Sequence, residues 1–373
     1  MQLKRLKLTD FRNYAQATID LFSGVHIFYG KNGAGKTNIL EAVYYLALTK
    51  SFRTAQDRHL IRYHQQMFRV EGDLINDQGQ AFHCAIAYAL QQGKRLTVNG
   101  QRIERFTEYI GEIPVVLLHP ADLMLSQGGP ANRRRFLDVL LCQSSRIYLH
   151  HLAQYNRALK QRNQLLQSEA VDGATLEAWD VQLAEHGAEL MQRRQAALQE
   201  LSETVASLYA ELSQSPAKVK LVYRSSVPGG GEASPKEAFL AGLSGHRAAD
   251  LQLGYTSLGP HRDDVLFLIN GKPFRTYASQ GEHKTLIVAL KLAEYQFLKK
   301  HVARQPILLF DDLFGELDAQ RIAQMLTYLE KIGQVLVTTT SRNFFDKVNL
   351  NQLPVHSYRV AQGTVQLEAT LHE

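Results

Sequence analysis

Along this chain the apolar positions change period several times, and each change predicts an element. The first segment reads as alternating strands and turns that lead into an apolar strand, Val25-His26-Ile27-Phe28-Tyr29. A glycine-rich turn follows at once, then a helix over Lys36–Leu48. Short strands are predicted between Phe68 and Ile103, the last closing through Val98-Asn99-Gly100-Gln101, where Asn-Gly supplies the positive φ of a two-residue hairpin. From Ser145 onward Ile147, Leu152, Tyr155, Leu159 and Leu166 recur at helical steps. After the breaker Asp172-Gly173, a second helical run from Leu176 through Trp179, Leu183, Leu190, Leu201 and Leu208 to Leu212 lasts until Pro216. Two antiparallel helices, each about 35 to 60 Å long at 1.5 Å per residue, would form a short helical arm.

Pro228-Gly229-Gly230-Gly231 has the composition of a mobile loop. Beyond it a strand pair around Val265-Leu266-Phe267-Leu268-Ile269 turns at Asn270-Gly271 and leads to a helix over about residues 280–300. A buried strand Ile307-Leu308-Leu309-Phe310, a further helix and the strand Val335-Leu336-Val337 complete a strand–helix alternation. That alternation predicts an α/β fold with a largely parallel sheet.

Composition narrows the class. The 373 residues, 45% of them hydrophobic, suffice for a two-lobed domain without covalent staples. Cys84 and Cys142 form no metal or disulfide pattern, which fits a reducing compartment. Charge is threaded through the N-terminus, and no apolar stretch approaches the roughly 20 residues of a membrane span. A cytoplasmic protein with no membrane partner is therefore expected. A net charge of +6 permits an anionic partner such as nucleic acid without demanding one.

Three motifs carry chemistry. Gly30-Lys31-Asn32-Gly33-Ala34-Gly35-Lys36-Thr37 satisfies G-x-x-x-x-G-K-T between a strand and a helix. The glycines let backbone N–H groups curl around phosphate oxygens at a helix N-terminus. Lys36 reaches the β and γ phosphates, and the Thr37 hydroxyl takes a place on Mg2+, so ATP is the predicted ligand. Second, Ile307 to Phe310 ends in Asp311-Asp312. Asp311 is placed to hold Mg2+, and Asp312 to orient or activate the attacking water, on a strand expected beside the P-loop strand. A helix N-cap is the alternative for this pair. Third, Ser279-Gln280-Gly281-Glu282 opens a helix, either as a second phosphate-binding end or as a capping box.

In order and spacing these motifs, with Gly315-Glu316-Leu317-Asp318 after the carboxylates, resemble the ABC-type ATPase heads of the SMC and recombination-repair class. The resemblance implies a head dimer in which Ser279 and Gly281 of one copy contact the γ phosphate on the other copy's P-loop, with Asp318 at the seam. It also adds Asn38 and Glu282 to the nucleotide-binding set. Three further tracts resemble the RecF family: Leu8-Thr9-Asp10-Phe11-Arg12-Asn13-Tyr14, Gly128-Gly129-Pro130 with Arg133-Arg134-Arg135-Phe136-Leu137-Asp138, and Gly259-Pro260-His261-Arg262-Asp263-Asp264. For the last tract, a turn bringing His261 and Arg262 to a nucleotide or DNA face and a structural turn stapled by Asp263 remain open. By the same resemblance Gln127 sits near the place of a Q-loop glutamine, Arg12 and Asn13 approach the nucleotide, and Arg53 faces DNA; each arginine also fits a solvated surface charge.

The sequence departs from the family pattern at Ala121, where an acidic residue is usual after Pro120, and Asp312 is one methylene shorter than the glutamate of transporter heads. The shorter side chain suggests slow turnover. Residues 1–120 and 300–373 are assigned to an ATPase lobe and 121–299 to a helical lobe carrying the arm and the signature. The function implied is a slow ATPase of DNA gap repair that dimerises with ATP and binds double-stranded and gapped DNA. RecR is the implied partner, with RecA loading and the SOS response downstream. A transporter ATPase subunit and an ATP-binding scaffold without hydrolysis are the alternatives.

Overall fold

The computed structural model describes residues 1–229, 233–312, 333–340 and 354–371. The chain divides into two compact units, Met1–Asp122 with Ile287–Glu373, and Leu123–Leu286. Gly230 and Gly231 of the glycine-rich loop, the further helix expected after Asp312, and Asp318 lie outside the described residues.

The first unit contains two sheets. One is antiparallel, in the order Tyr14–Asp20, Gln2–Phe11, Met67–Ile75, Ala81–Ala89, Gly93–Val98, Gln101–Ile103. Its strands bury one face: Leu6 and Leu8 are covered while Arg5 is exposed and Lys7 half-buried between them. The alternation slips between Leu3 and Leu6 because a bulge shifts the register at Leu3/Arg5. The last hairpin turns with φ of 49° at Asn99 and 79° at Gly100, as the Asn-Gly pair requires.

The other sheet runs Thr364–Leu371, Val355–Ala361, Val25–Tyr29, Val335–Thr339, Ile307–Phe310, Val115–Leu118. All neighbours are parallel except the hairpin between the first two. Val115–Leu118, Ile307–Phe310 and Val335–Thr339 are buried at every position; the first two are unbroken apolar runs and the third ends in two threonines. One expectation is corrected here. The carboxylate strand does not lie beside the P-loop strand, because Val335–Thr339 is inserted between them and pairs with both. Parallel neighbours need crossovers of a dozen or more residues, so local sequence does not dictate their order.

The second unit is mainly helical. Arg146–Leu166 and the 41-residue Gly173–Ser213 pair antiparallel, since Tyr148 meets Arg194, His151 meets His186 and Arg162 meets Asp180. The long helix starts at the Asp172 cap, whose carboxylate accepts the Thr175 N–H, and ends at Gln214 with φ of 49°. Beyond its partner the helix packs on the Val219–Arg224 strand, where the Ser202 hydroxyl accepts the Leu221 N–H at 2.9 Å, and on Pro235–Leu253. Val219–Arg224, Asp264–Ile269 and Lys272–Pro273 form a small antiparallel sheet. The helix Gln280–Val302 begins in this unit and ends in the other.

Candidate nucleotide site

Because Val25–Tyr29, Val335–Thr339 and Ile307–Phe310 are parallel, their C-terminal ends share one edge, where open α/β sheets bind ligands. The P-loop leaves the first strand there and runs into Lys36–Leu48. Gly35 caps this helix with φ of 112°, a left-handed conformation that favours glycine, and a Cβ there would lie 2.5 Å from Asn13 Nδ2 of the N-terminal layer. Lys36 is almost fully buried, and its Nζ donates to the carbonyls of Gly30 at 2.8 Å and Lys31 at 3.0 Å. Burial lowers its pKa, against the opposing pull of the Asp312 and Asp311 carboxylates.

The Thr37 hydroxyl donates to Asp311 Oδ1 at 2.8 Å, joining the P-loop to the carboxylate strand. Thr338, on the inserted strand, donates to the same oxygen at 2.8 Å and accepts the Asp312 N–H at 3.0 Å. Asp311 is buried, whereas Asp312 is exposed and has φ of 47°. Sequence reasoning missed Thr338; its signal is a hydroxyl at the end of an apolar strand, Val335-Leu336-Val337-Thr338. The described residues hold no cluster of three or more His, Cys, Asp or Glu that suits a metal ion. A Thr hydroxyl and one carboxylate at bonding distance do suit Mg2+, which takes few protein oxygens and completes its shell with water and phosphate.

The N-terminal layer touches this loop through two residues. Asn13 Nδ2 donates to the Ala34 carbonyl at 3.0 Å and Asn13 Oδ1 accepts from Asn38 at 2.7 Å; the buried Tyr14 hydroxyl donates to the Gly35 carbonyl at 3.0 Å. Arg12, with φ of 56°, makes a two-pronged ion pair with Glu41 at 2.8 and 2.6 Å and donates to the His59 carbonyl. Arg53 donates to Asn38 at 2.9 Å and lies 3.4 Å from Glu41, which also accepts from Ser51 at 2.5 Å. The two arginines thus converge on one fully buried carboxylate that the sequence reading did not single out. Its signal was a lone acid in the apolar run Ile39-Leu40-Glu41-Ala42-Val43.

The remaining predicted residues fall in the second unit. Ser279 is exposed, and its N–H and Oγ both meet Glu282 Oε2, at 2.7 and 2.8 Å, while the Glu282 N–H returns to Ser279 Oγ at 3.3 Å. This is capping-box geometry, and it opens the helix that carries Gly281. Gln127 is exposed at the end of Leu123–Gln127.

The Gly259–Asp264 tract is a staple inside the second unit. Arg133 grips Asp264 with two bonds at 2.9 and 3.2 Å, and Arg134 donates to the Asp263 carbonyl at 2.7 Å. Asp263 accepts from the Ser226 N–H at 2.6 Å and from the Tyr223 hydroxyl. His261 bonds Tyr155 at 2.6 Å and the Thr256 carbonyl at 3.0 Å, while the Pro260 carbonyl accepts from buried Arg194 at 2.7 Å. Gly259 has φ of 125°, and a Cβ would meet Phe239 and Tyr155 at 2.6 Å. Of the two readings left open for this tract, these bonds describe the structural turn stapled by Asp263; Arg262 is exposed over the Tyr255 ring.

Residues 2–364 match the model of the RecF/RecN/SMC N terminal domain family. The DNA replication and repair protein RecF of Salinibacter ruber is 36% identical over 97% of this chain and 90% of its own length. The chain belongs to the RecF family. Another RecF, from Streptococcus pyogenes serotype M5, is 37% identical over 100% of both chains. Among solved structures, the recombination mediator protein RecF-ATPrS of the RecFOR pathway superposes with a TM-score of 0.90 at 30% identity, over 99% of this chain and 98% of that one. An Smc head bound to the C-winged helix domain of ScpA superposes at 0.57 with 15% identity, which shows the shared head fold alone. RecF membership fits the three tracts, which form the Arg12–Asn13 turn over the P-loop and the Arg133–Asp264 staple. No helix among the described residues is long and apolar enough to cross a membrane.

Proposed function

We propose that this chain is an ATP-dependent DNA-binding repair protein in which ATP joins two heads, the joined pair grips DNA, and slow hydrolysis releases it. The observation that carries the reading is the 2.8 Å bond from Thr37 to Asp311, which unites P-loop and carboxylate strand in one site of magnesium–triphosphate chemistry. Magnesium held there would neutralise charge developing on the phosphates. Lys36 exchanges its two loop carbonyls for β and γ phosphate oxygens, and the N–H groups of residues 30–37 wrap the remainder. Asp312 orients the attacking water and accepts its proton, with Gln127 sensing the γ phosphate.

The signature helix supports the dimer part of the reading. Ser279 and Gly281 are exposed or half-exposed at the start of a 23-residue helix, whose N-terminal dipole attracts anions. They are offered to the triphosphate of a second copy, with Glu282 and Asp318 beside them. Relatives that act in DNA replication and repair and in the RecFOR pathway support double-stranded and gapped DNA as substrate, RecR as partner, and RecA loading and the SOS response as outcomes.

The test is DNA binding across a salt series, with and without ATP. Affinity is expected to fall linearly on a log–log plot, and only when ATP is present. Equal binding without nucleotide would contradict the clamp.

A further inference from the structure

The side chain of Tyr63 is 83% exposed, the most exposed large hydrophobic group among the described residues. Backbone hydrogen bonds tie its turn to the sheet. Leu60 is fully buried, the Arg12 N–H donates to its carbonyl at 2.7 Å, and Phe11 bridges to Ile61. The Arg62 N–H then donates to the Asp10 carbonyl at 2.8 Å, and the Gln65 N–H closes the turn onto the Arg62 carbonyl at 3.0 Å. His64, with φ of 65°, sets its ring 4.1 Å from that of Tyr63. The two rings, tilted 57° to each other, thus form an aromatic shelf on a turn tied to the antiparallel sheet.

The loops that lead to the shelf carry several cations. Lys50, Arg53 and Arg58 are exposed, and Arg62 is 40% exposed. The acids close by have partners: Asp57 pairs with Lys94 at 2.8 Å, Asp10 with Arg62 at 3.8 Å, and Glu41 is buried. Thr54 bonds His59 at 3.1 Å, joining the loop of Arg53 to the loop that leads to Tyr63. Through the His59 carbonyl and Arg12 a chain of hydrogen bonds links this loop to the buried Glu41 on the P-loop helix.

We infer that the Tyr63–His64 shelf stacks on an unpaired base where duplex DNA gives way to single strand, with Lys50, Arg53, Arg58 and Arg62 on the adjoining phosphates. The inference rests on the DNA-binding reading above and deepens it. Cations serve any duplex, but a free ring face finds a stacking partner only on a base that has left its own stack. A protein-docking aromatic would instead cluster with other large anchors near the centre of a patch that its partner fully desolvates. Here its neighbours along the turn are Arg62, His64, Gln65 and Gln66, with Met67 and Leu90 adding a small apolar margin.

The experiment uses the full chain with ATP and Mg2+, a plain duplex, and a gapped duplex carrying 2-aminopurine at the first unpaired position. The wild type should bind both, prefer the gapped DNA and quench the probe. Tyr63→Ala should keep its plain-duplex affinity within about twofold while losing the quench and about tenfold of gapped-DNA affinity, the scale of one base stacked on an aromatic ring. Tyr63→Trp should retain both. If Tyr63→Ala quenches and discriminates like the wild type, the inference is overturned while the DNA-binding reading stands; a protein-docking role for Tyr63 gives this same result. If the wild type binds neither DNA with ATP, the functional reading fails and the inference with it.

Discussion

Thr338 and Asp311 are joined through a hydroxyl that faces two ways, donating to the Asp311 carboxylate at 2.8 Å and accepting the Asp312 N–H at 3.0 Å. One side chain on the inserted strand therefore holds the Asp311 carboxylate and the backbone of Asp312. It is a positioning residue. Thr338→Val keeps the shape and removes the hydroxyl, leaving the Asp312 N–H without that acceptor. ATPase kcat is expected to fall about tenfold with KM within about twofold, and Thr338→Ser to restore most of the rate. A change confined to KM, or no rescue by serine, would refute this role.

Glu41 holds Arg12 by two bonds and lies 3.4 Å from Arg53, with no exposure of its own. Removing one partner of a buried ion pair leaves the others uncompensated, so Glu41→Ala should cost about 3 kcal/mol or more in denaturant unfolding. Arg53→Ala, at a site 45% exposed, should cost less than about 1 kcal/mol. Equal costs would show that Glu41 is not the hub.

Arg133 and Asp264 connect two tracts that are 131 positions apart. A double-mutant cycle with Arg133→Met and Asp264→Asn should return a coupling of about 1 to 3 kcal/mol in unfolding free energy. Additive effects would mean that the bond contributes nothing specific.

Burial pushes the His261 pKa down to about 4, with Arg262 and Arg134 adding to the effect against the Thr256 carbonyl. The carbonyl can only accept, so Nε2 carries the proton and Nδ1 accepts from Tyr155. Folded His261 then stays neutral while the unfolded chain binds a proton below its ordinary pKa near 6.5. Its contribution is present above about pH 6.5 and is lost as pH falls toward 4, with a slope approaching about 1.4 kcal/mol per pH unit. His26, pushed down to about 3 by burial, acts in the same direction. Unfolding measured from pH 7 to 4 should show a shallower slope for His261→Gln; an unchanged slope would exclude this residue as a source.

Much of this was legible in the sequence because it is local. The P-loop and its helix follow from glycine spacing and period, and the Gly173–Ser213 helix from its apolar steps after the breaker Asp172-Gly173. What escaped is non-local. The insertion of Val335–Thr339 beside Ile307–Phe310 depends on crossovers that no short window contains. Thr338 became informative only through that pairing. Glu41 escaped because its partners come from outside its helix, Arg12 from the N-terminal layer and Ser51 and Arg53 from the turn that follows. The Gly259–Asp264 tract left two roles open, since distant Arg133, Tyr155 and Arg194 hold it.

The central claim is that triphosphate joins two copies through Ser279. Mass in solution by light scattering, with and without ATP, tests it most directly for wild type, Lys36→Arg and Ser279→Arg. The account predicts that ATP doubles the mass of the wild type, leaves Ser279→Arg monomeric although it still binds ATP, and weakens both binding and dimerisation of Lys36→Arg. A wild type that stays monomeric when saturated with ATP, or a Ser279→Arg variant that dimerises like it, would contradict the account.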